Sequence, residues 1–310
     1  MKIGIVILNY LNWQDTVECI DSLSNQSFKN YEVVVVDNQS ANESYTELNS
    51  RYGEKEQIHL LQSKENLGFA KGNNIGIVYC KKILGIDNIL VINNDVVFTD
   101  DNYLEYLSQY EVGYDIAIIG SRIIGSDGKN QNPSSQFKAG FKAVFREFSI
   151  PLLRKYKLTA LLNLARKVKH QLKRSPSITN QQSNNQITTD KPYNLHGSAL
   201  FMTKNYLNEV NGLYPDTFLY YEEEILALVV DKLNLKMVYT DDIEIYHKED
   251  QSSKLSFNNE EGIKYKMGRR SVRTGLKVSL MGINAIKDRI NHYPYVFISK
   301  HDDMTKEYQL

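Results

Sequence analysis

Polar residues that can bind metal ions or nucleotides stand directly after three apolar runs in the first hundred residues. Residues 9–10 (NY) follow IGIVIL, Asp37 ends EVVVVD, and residues 93–95 (NND) follow ILVI. A carboxylate such as Asp95 can hold a hard divalent cation, which in turn holds phosphate oxygens and water. Asp37 can accept hydrogen bonds from a nucleobase or a ribose. The structural alternatives are a helix N-cap or turn at Asp37 and a β-turn at 93–95.

A second group of carboxylates, Glu222, Glu223 and Glu224, stands between the aromatic run FLYY and the apolar run ILALVV. Neighbouring carboxylates repel one another, and such a setting can tune one acid into a general base. The alternative is an acidic first helical turn, which the helix dipole favours and which suits Glu224 best. Tyr220 and Tyr221 indicate a binding surface beside the first two glutamates.

One histidine has a comparable setting, because His247 directly follows the run IEIY. A neutral imidazole at this position can ligate a metal ion or contact a phosphate group. The alternative is a histidine with a purely structural role. The other five histidines of the chain lack such a context.

The segment NLGFAKGNNIG, residues 66–76, has glycines spaced four residues apart. Gly68 and Gly72 can let backbone N–H groups approach a phosphate, and Lys71 adds positive charge. The segment matches neither GxGxxG nor the Walker P-loop, so it does not support a dehydrogenase or a P-loop kinase. Close packing of a helix is the alternative role for these glycines.

Apolar runs alternate with helical spacing through the first part of the chain. Strands are predicted at 3–8, 32–37, 58–61, 88–97 and 115–120, and helices at 13–24 and 68–84. This alternation predicts an α/β fold with an open, mostly parallel, Rossmann-like sheet flanked by helices. Ligands of such sheets bind beyond the carboxyl ends of the strands, which is where the polar residues described above are expected.

The chain of 310 residues carries 37 Lys and Arg against 37 Asp and Glu, so its formal net charge is zero. Net charge therefore predicts no nucleic acid or other polyanionic partner. Cys19 and Cys80 lie in apolar patterns without CxxC spacing, which indicates buried reduced thiols of a cytosolic protein. The apolar run near the start is too short for a signal sequence or a membrane span, so we expect a cytoplasmic protein.

The middle of the chain has a different composition. Residues 150–174 have the pattern of a basic amphipathic helix, and 175–190 are polar and low in complexity. We interpret 148–190 as an insertion in a domain that spans 1–255, followed by a helical extension over 256–310. The basic stretch either packs on the domain or makes peripheral contact with an anionic membrane. The C-terminal helices could form a homodimer surface or a second membrane contact.

The order of these segments resembles a known family of enzymes. Residues 4–23 are followed by VVVVDNQS, NLGFAKGNNIGI, VINNDVVF, GSALFMTK, FLYYEEEIL and IYHKEDQSS. Together they resemble family 2 glycosyltransferases, especially the rhamnosyltransferase-like branch of capsular polysaccharide and lipopolysaccharide synthesis. The resemblance covers residues 2–130 and 192–275. It implies the A-type glycosyltransferase fold, in which a single α/β domain binds a nucleotide sugar.

The resemblance also implies roles for individual residues. The family's Asp-x-Asp metal motif corresponds to 93–95, where only Asp95 keeps a carboxylate, and His247 is the second expected metal ligand. The family's Glu-Asp pair corresponds to Glu222 and Glu223, which nominates Glu223 as the catalytic base. Because Glu is one methylene longer than Asp, Glu222 stays a candidate for the same role. The nucleotide-sugar site is expected to include Asn9, Tyr10, Asp37, Asn66, Gly68, Lys71, Asn73, Asn93 and Asn94.

The reaction implied by the resemblance is a direct displacement with inversion at the anomeric carbon. The base removes a proton from the acceptor hydroxyl, and Mn²⁺ or Mg²⁺ neutralises charge on the departing diphosphate. The expected donor is a UDP-, dTDP- or GDP-sugar, and the expected acceptor is a polyprenyl-diphosphate-linked oligosaccharide of a bacterial surface glycan. Such an enzyme would work peripherally on the inner face of the bacterial cytoplasmic membrane.

The sequence is also compatible with two other functions. One is a catalytically inactive nucleotide-sugar-binding scaffold of a polysaccharide synthesis complex, which the changes in the metal motif and in the acidic pair would allow. The other is a sugar nucleotidyltransferase, which uses a similar sheet. The segment GIVILNYLNW lacks the Gly-rich, basic signature that nucleotidyltransferases need after their first strand.

Overall fold

The computed structural model describes residues 1–136, 193–249, 261–301 and 304–309. The expected insertion at 148–190, with its basic stretch, falls outside these residues, so its contact with a membrane stays a prediction. Within the described residues, no helix is long and apolar enough to cross a lipid bilayer.

Four parallel strands form the first half of the main sheet. They are β1 (Ile3–Asn9), β2 (Tyr31–Asp37), β3 (Ile58–Ser63) and β4 (Ile89–Asn93). The helices between them are α1 (Trp13–Leu23), α2 (Ser44–Tyr52) and α3 (Gly68–Lys82). The strand order is β3-β2-β1-β4, and Asn9 is paired in register with Asp37. The polar residues at the carboxyl ends of these parallel strands therefore lie together at the same end of the sheet.

The second half of the sheet has both parallel and antiparallel pairs. The next strands in the chain are β5 (Val96–Val97), β6 (Ile116–Gly125), β7 (Ser135–Gln136), β8 (Tyr193–Asn194), β9 (Ala199–Met202) and β10 (Lys236–His247). β7 and β8 form a separate two-stranded sheet, whereas the others continue the main sheet in the order β4-β9-β6-β10-β5. β9 is antiparallel to both of its neighbours, and β10 is parallel to β6. At the far edge, β5 pairs antiparallel with the end of β10, where Val96 lies opposite His247.

Helices cover both faces of the sheet, because successive side chains of a strand point to opposite sides. The helices of the second half are α4 (Tyr103–Gln109), α5 (Lys204–Glu209) and α6 (Glu222–Lys232). On one face, Val6 belongs to a buried cluster with Ile75 of α3 and Val229 of α6. On the other face, Ile5 belongs to a cluster with Leu23 of α1.

The C-terminal segment contains helices, as expected, and after them two strands that the sequence analysis did not predict. Its elements are α7 (Glu261–Leu280), α8 (Ile283–Asn291), β11 (Val296–His301) and β12 (Met304–Gln309). β11 pairs antiparallel with the outer edge of β3, and β12 pairs with β11. A strand satisfies the backbone N–H and C=O groups of that edge, whereas a helix cannot. The short run YVFIS has the aromatic and β-branched residues of a strand, but the longer helical pattern before it hides this signal.

Two glycines of α3 allow this helix to pack closely onto β1. A Cβ atom at Gly76 would lie 2.5 Å from Cγ1 of Val6, and one at Gly72 would lie 2.6 Å from Cδ1 of Leu8. Close packing is therefore the role that Gly72 and Gly76 have in this segment.

We expect Gly76→Ala to lower the free energy of unfolding by about 1–3 kcal/mol, because the added methyl group overlaps the stiff, fully buried Val6 side chain. The higher helix propensity of alanine, about 1 kcal/mol, acts in the opposite direction. Urea unfolding measures the net change. Gly282→Ala is the matched control, because a Cβ atom there would meet no atom within 4 Å. A Gly76→Ala variant as stable as this control would show that α3 shifts away from β1 at no cost.

Candidate active site

A cleft of about 560 Å³ opens at the carboxyl ends of β1 and β4. Its walls come from the loops after several strands and from the first turn of α6. The sequence-predicted residues that line it are Tyr10, Asn66, Gly68, Asn93, Asn94, Asp95, Glu222, Glu223 and His247. The structure thus brings the expected metal ligands and the expected catalytic acids to one cavity. The predicted residues outside its lining are Asn9, Asp37, Lys71 and Asn73.

Asp95 and His247 lie side by side because β5 pairs with the end of β10. Nε2 of His247 is 3.3 Å from Oδ1 of Asp95, and both side chains are buried. This separation is within ion-pair range, yet Oδ1 receives no hydrogen bond from any described residue. Neighbouring ligands around a six-coordinate Mg²⁺ or Mn²⁺ are about 3 Å apart, so the pair fits such a cation.

The two side chains supply only part of a coordination sphere. Among the described residues, no cluster of three or more His, Cys, Asp or Glu side chains could hold a metal ion. A Mg²⁺-type cation commonly takes one or two protein ligands and fills its other positions with phosphate oxygens and water. The donor set therefore suits a cation that is shared with a phosphorylated ligand.

A second histidine of the cleft, His196, was not singled out in the sequence analysis. Its ring packs edge-on against the ring of His247, with the centroids 5.3 Å apart. Its Nδ1 lies 2.9 Å from Oγ of Ser198. Burial lowers the pKa of His196, so it is neutral at pH 7. In the sequence, His196 is marked only by its position directly before the segment GSALFMTK. No spacing rule connects that position to His247.

Glu223 presents its carboxylate to the cleft from the first turn of α6. Its Oε1 accepts a hydrogen bond of 3.2 Å from the backbone N–H of Gly197. A Cβ atom at Gly197 would lie 2.8 Å from that oxygen, so a larger residue would push the carboxylate away. Glycine at this position therefore helps to set where the Glu223 carboxylate lies.

The chain enters α6 through two strained residues. Tyr220 and Tyr221 have φ angles of +74° and +68°, in the left-handed region that bulky residues rarely adopt. Each such residue costs about 1–3 kcal/mol and persists only where its surroundings determine the conformation. Residues of this kind cluster at active sites, and these two stand directly before the acidic turn.

Glu222 differs from its neighbour because it is buried. The residue is 7% exposed, and its Oε1 has no hydrogen-bond partner among the described residues. Burial, reinforced by the negative charge of Glu223, raises the pKa of Glu222 to about 8. At neutral pH this side chain is therefore mostly a neutral carboxylic acid.

Asp37 is not part of the cleft wall, and it is fully buried. Its Oδ2 accepts hydrogen bonds from Nδ2 of Asn9 at 2.8 Å and from Oγ of Ser40 at 2.6 Å. Its Oδ1 accepts from the N–H of Ser40 at 3.0 Å and from Nε2 of Gln62 at 3.2 Å. Asp37 and Asn9 therefore join the loops after β1 and β2, and the residues that follow them, Asn38 and Tyr10, reach the cleft.

The segment around Asn66 and Gly68 is held by hydrogen bonds from two sides. Oδ1 of Asn66 accepts from Nδ2 of Asn38 at 3.1 Å and from the N–H of Gly68 at 3.0 Å. The N–H of Phe69 donates to the carbonyl of Phe218 at 2.8 Å. Gly68 has a φ of +77°, and a Cβ atom there would overlap the Phe218 backbone. This glycine is therefore required where α3 begins beside the FLYY segment.

Three other predicted binding residues make contacts elsewhere. Nζ of Lys71 lies 5.4 Å from the ring centre of Tyr293, in the C-terminal segment. Nδ2 of Asn73, a buried residue, donates to the carbonyl of Phe69. Nδ2 of Asn94 donates to Oγ1 of Thr16 at 3.1 Å, so this amide is tied to α1 although the residue adjoins the cleft.

Solved structures of similar fold confirm the predicted α/β fold of the A type. TarS residues 1–349 of S. aureus, crystallised in complex with UDP, align with a TM-score of 0.52 and 15% identity over 94% of this chain and 70% of that chain. GalNAc-T7, crystallised with UDP, GalNAc and Mn²⁺, aligns with a TM-score of 0.54 and 14% identity over 80% of this chain and 43% of that chain. At these identities the likeness concerns the fold alone.

Sequence comparison gives the family. The low-salt glycan biosynthesis hexosyltransferase Agl10 of Haloferax volcanii is 26% identical over 225 residues, which is 71% of this chain. The chain spans 59% of the length of that relative. The model of the family described as Glycosyl transferase family 2 matches residues 4–202, from β1 to the end of β9. Because this match covers more than half of the chain and includes Asp95 of the cleft, the chain belongs to glycosyl transferase family 2.

Proposed function

We propose that this chain is an inverting glycosyltransferase, which moves a sugar from a nucleoside diphosphate onto a lipid-linked glycan in bacterial surface polysaccharide synthesis. One observation carries the proposal: the Asp95–His247 pair and the Glu223 carboxylate line the same cleft. A site that stabilises a departing diphosphate and a group that accepts a proton are what this transfer requires. Membership of glycosyl transferase family 2 supports the reaction class.

Asp95 and His247 are the proposed holders of a Mn²⁺ or Mg²⁺ ion. When bound, this ion supplies positive charge that stabilises the leaving diphosphate. Tyr10, Asn66 and Asn93 line the same cleft and offer hydrogen-bonding groups to a UDP-, dTDP- or GDP-sugar. The protein thus binds and orients the donor from the ends of β1 and β4.

Glu223 is the proposed general base. It lies in the cleft wall and is held by the backbone of Gly197. Glu222 retains a proton at neutral pH, since its pKa is raised to about 8, so it serves there as a hydrogen-bond donor. Glu223 takes the proton of the acceptor hydroxyl while that oxygen attacks the anomeric carbon from the face opposite the diphosphate.

The proposed acceptor is a polyprenyl-diphosphate-linked oligosaccharide at the inner face of the bacterial cytoplasmic membrane. The resemblance of the motif set to the rhamnosyltransferase-like branch supports this proposal, as does the glycan biosynthesis role in the name of the relative Agl10. Part of the cleft wall is apolar, because it includes Phe218, which is 36% exposed, together with Leu219 and Met267. Such a wall suits the apolar face of a sugar ring or a lipid segment. Two further points stay predictions: that the protein contacts an anionic membrane, and that it forms a homodimer.

We expect Glu223→Gln to lower kcat by about 10²–10⁴, because an amide cannot take the proton of the acceptor hydroxyl. Release of nucleoside diphosphate from the donor measures kcat, and donor affinity from calorimetry should stay unchanged. Glu224→Gln, in the same turn of α6, is the matched control and should keep wild-type turnover. Near-wild-type turnover of a folded Glu223→Gln variant would assign the base to another group.

A nucleoside diphosphate of the correct base should stabilise the protein in a cation-dependent way. At about 100 times its Kd, a ligand adds about 2.7 kcal/mol to the free energy of unfolding. Thermal unfolding with UDP, dTDP and GDP, each with and without Mn²⁺ or Mg²⁺, measures this effect. Asp95→Asn should abolish the cation-dependent part, whereas Asp101→Asn, an exposed control, should keep it. No shift with any nucleotide would favour the inactive scaffold.

The protonation of Glu222 makes stability depend on pH. Glutamate in an unfolded chain has a pKa of about 4.3, whereas the pKa of folded Glu222 is about 8. The folded state binds this proton more tightly, so the resulting stabilisation is complete below pH of about 4 and is lost as the pH rises to about 8. Glu222→Gln stays neutral, so it should gain about 2–5 kcal/mol relative to wild type across this window.

Urea unfolding at a mildly acidic and a mildly alkaline pH measures this gain. Glu54→Gln, at an exposed loop position, is the matched control and should follow wild type at both pH values. A difference between Glu222→Gln and wild type that does not change with pH would mean that Glu222 titrates alike in the folded and unfolded chain.

A further inference from the structure

A chain of hydrogen bonds leads from Glu249, two residues after the end of β10, to the proposed cation pair. Oε1 of Glu249 accepts a hydrogen bond from Nε2 of Gln131, and Oε1 of Gln131 lies 2.9 Å from Nδ1 of His247. On the far side of the imidazole ring, Nε2 lies 3.3 Å from Asp95 Oδ1. Neither Gln131 nor Glu249 was among the residues that the sequence analysis assigned to the site.

The Glu249 carboxylate determines which way the Gln131 amide faces. A carboxylate only accepts hydrogen bonds, so the NH₂ group of Gln131 faces Glu249 and its oxygen faces the imidazole. That amide oxygen also only accepts, so Nδ1 of His247 carries the hydrogen. The ring nitrogen left to offer a lone pair to a metal ion is then Nε2, which lies on the side of Asp95.

On the Asp95 side of the imidazole, no hydrogen bond competes with this assignment. Oδ1 of Asp95 receives no hydrogen bond from any described residue, and Nε2 of His247 lies 3.3 Å from it. Two acceptor atoms therefore face one gap, which is the arrangement that a cation stabilises.

The backbone keeps Glu249 and Gln131 in contact. Gly125, at the end of β6, lies against both side chains, and a Cβ atom there would overlap Nε2 of Gln131 and Oε1 of Glu249. Glu249 has a φ of +67°, a conformation that residues other than glycine rarely adopt. A residue in such a conformation indicates that its surroundings determine its position.

We propose that Gln131, oriented by Glu249, is a positioning residue that fixes the tautomer of His247 and so presents Nε2, together with Asp95, to a divalent cation. This inference rests on the cation assignment of the proposed function. Gln131 itself does not bind the cation. Hydrogen bonds to the second ring nitrogen of a metal-binding histidine typically change metal affinity 10–100-fold.

The tautomer is measured in metal-free protein by ¹⁵N NMR of the histidine rings, with His247 assigned from a His247→Gln variant. Wild-type His247 should carry its hydrogen on Nδ1. Gln131→Met removes the acceptor and should give a mixture of tautomers, whereas Gln109→Met, at an exposed position on α4, should not. The double variant Gln131→Glu with Glu249→Gln exchanges the two groups and should restore the Nδ1–H form. A hydrogen on Nε2 in wild type, or an unchanged tautomer in Gln131→Met, would overturn the proposal.

Mn²⁺ alone is the second probe, and its affinity is measured by solvent-proton relaxation. Gln131→Met should weaken Mn²⁺ binding by about 10–100-fold, and the exchange variant should recover most of it. Equal affinity in wild type and Gln131→Met would overturn this proposal alone. Wild-type protein that shows the Nδ1–H tautomer and yet binds no Mn²⁺ would overturn the cation assignment in the proposed function and here together.

Discussion

The short pairing between β5 and the end of β10 is the constraint on which the site depends. It places Val96 opposite His247. Val96 is the residue that directly follows Asp95 in the chain. The N–H of Lys248 also donates to the carbonyl of Asp95. Backbone register, rather than attraction between the side chains, therefore sets the distance between Asp95 and His247. For this reason the fold itself holds these two side chains next to each other at the end of the sheet.

The two acids of α6 show how neighbouring residues of one type acquire different chemistry. Successive residues of a helix are rotated by about 100°, so Glu222 and Glu223 point in different directions. Both line the cleft, but Glu222 is buried and keeps its proton, whereas the Glu223 carboxylate accepts a hydrogen bond from the N–H of Gly197. Tyr220 and Tyr221 have left-handed conformations directly before this helix, which indicates that their surroundings determine where it begins.

Local patterns could predict the strand ends, because apolar runs that stop at polar residues mark them, and this placed Asp95 in the cleft. Contacts between segments that are far apart in the chain have no comparable pattern in the sequence. Lys71 was expected near a phosphate, but it lies over the ring of Tyr293, more than two hundred residues away in the chain. Gln131 and Glu249 are 118 residues apart, and an amide paired with a carboxylate has no periodic signature. The strand β11 was missed for a related reason, since the β3 edge that it covers is far away in sequence.

The position of β9 in the sheet has a consequence for synthesis of the protein in the cell. β9 covers the edge of β4, yet β4 ends at Asn93 and β9 begins only at Ala199. A ribosome needs roughly 5–20 s to make the residues between them at ordinary elongation rates. During that time the first four strands can associate through their local helical connections, while the apolar edge of β4 has no partner strand. Such an edge is a template for aggregation, so the interval before β9 is made is the one in which this edge exposes the nascent chain to that hazard.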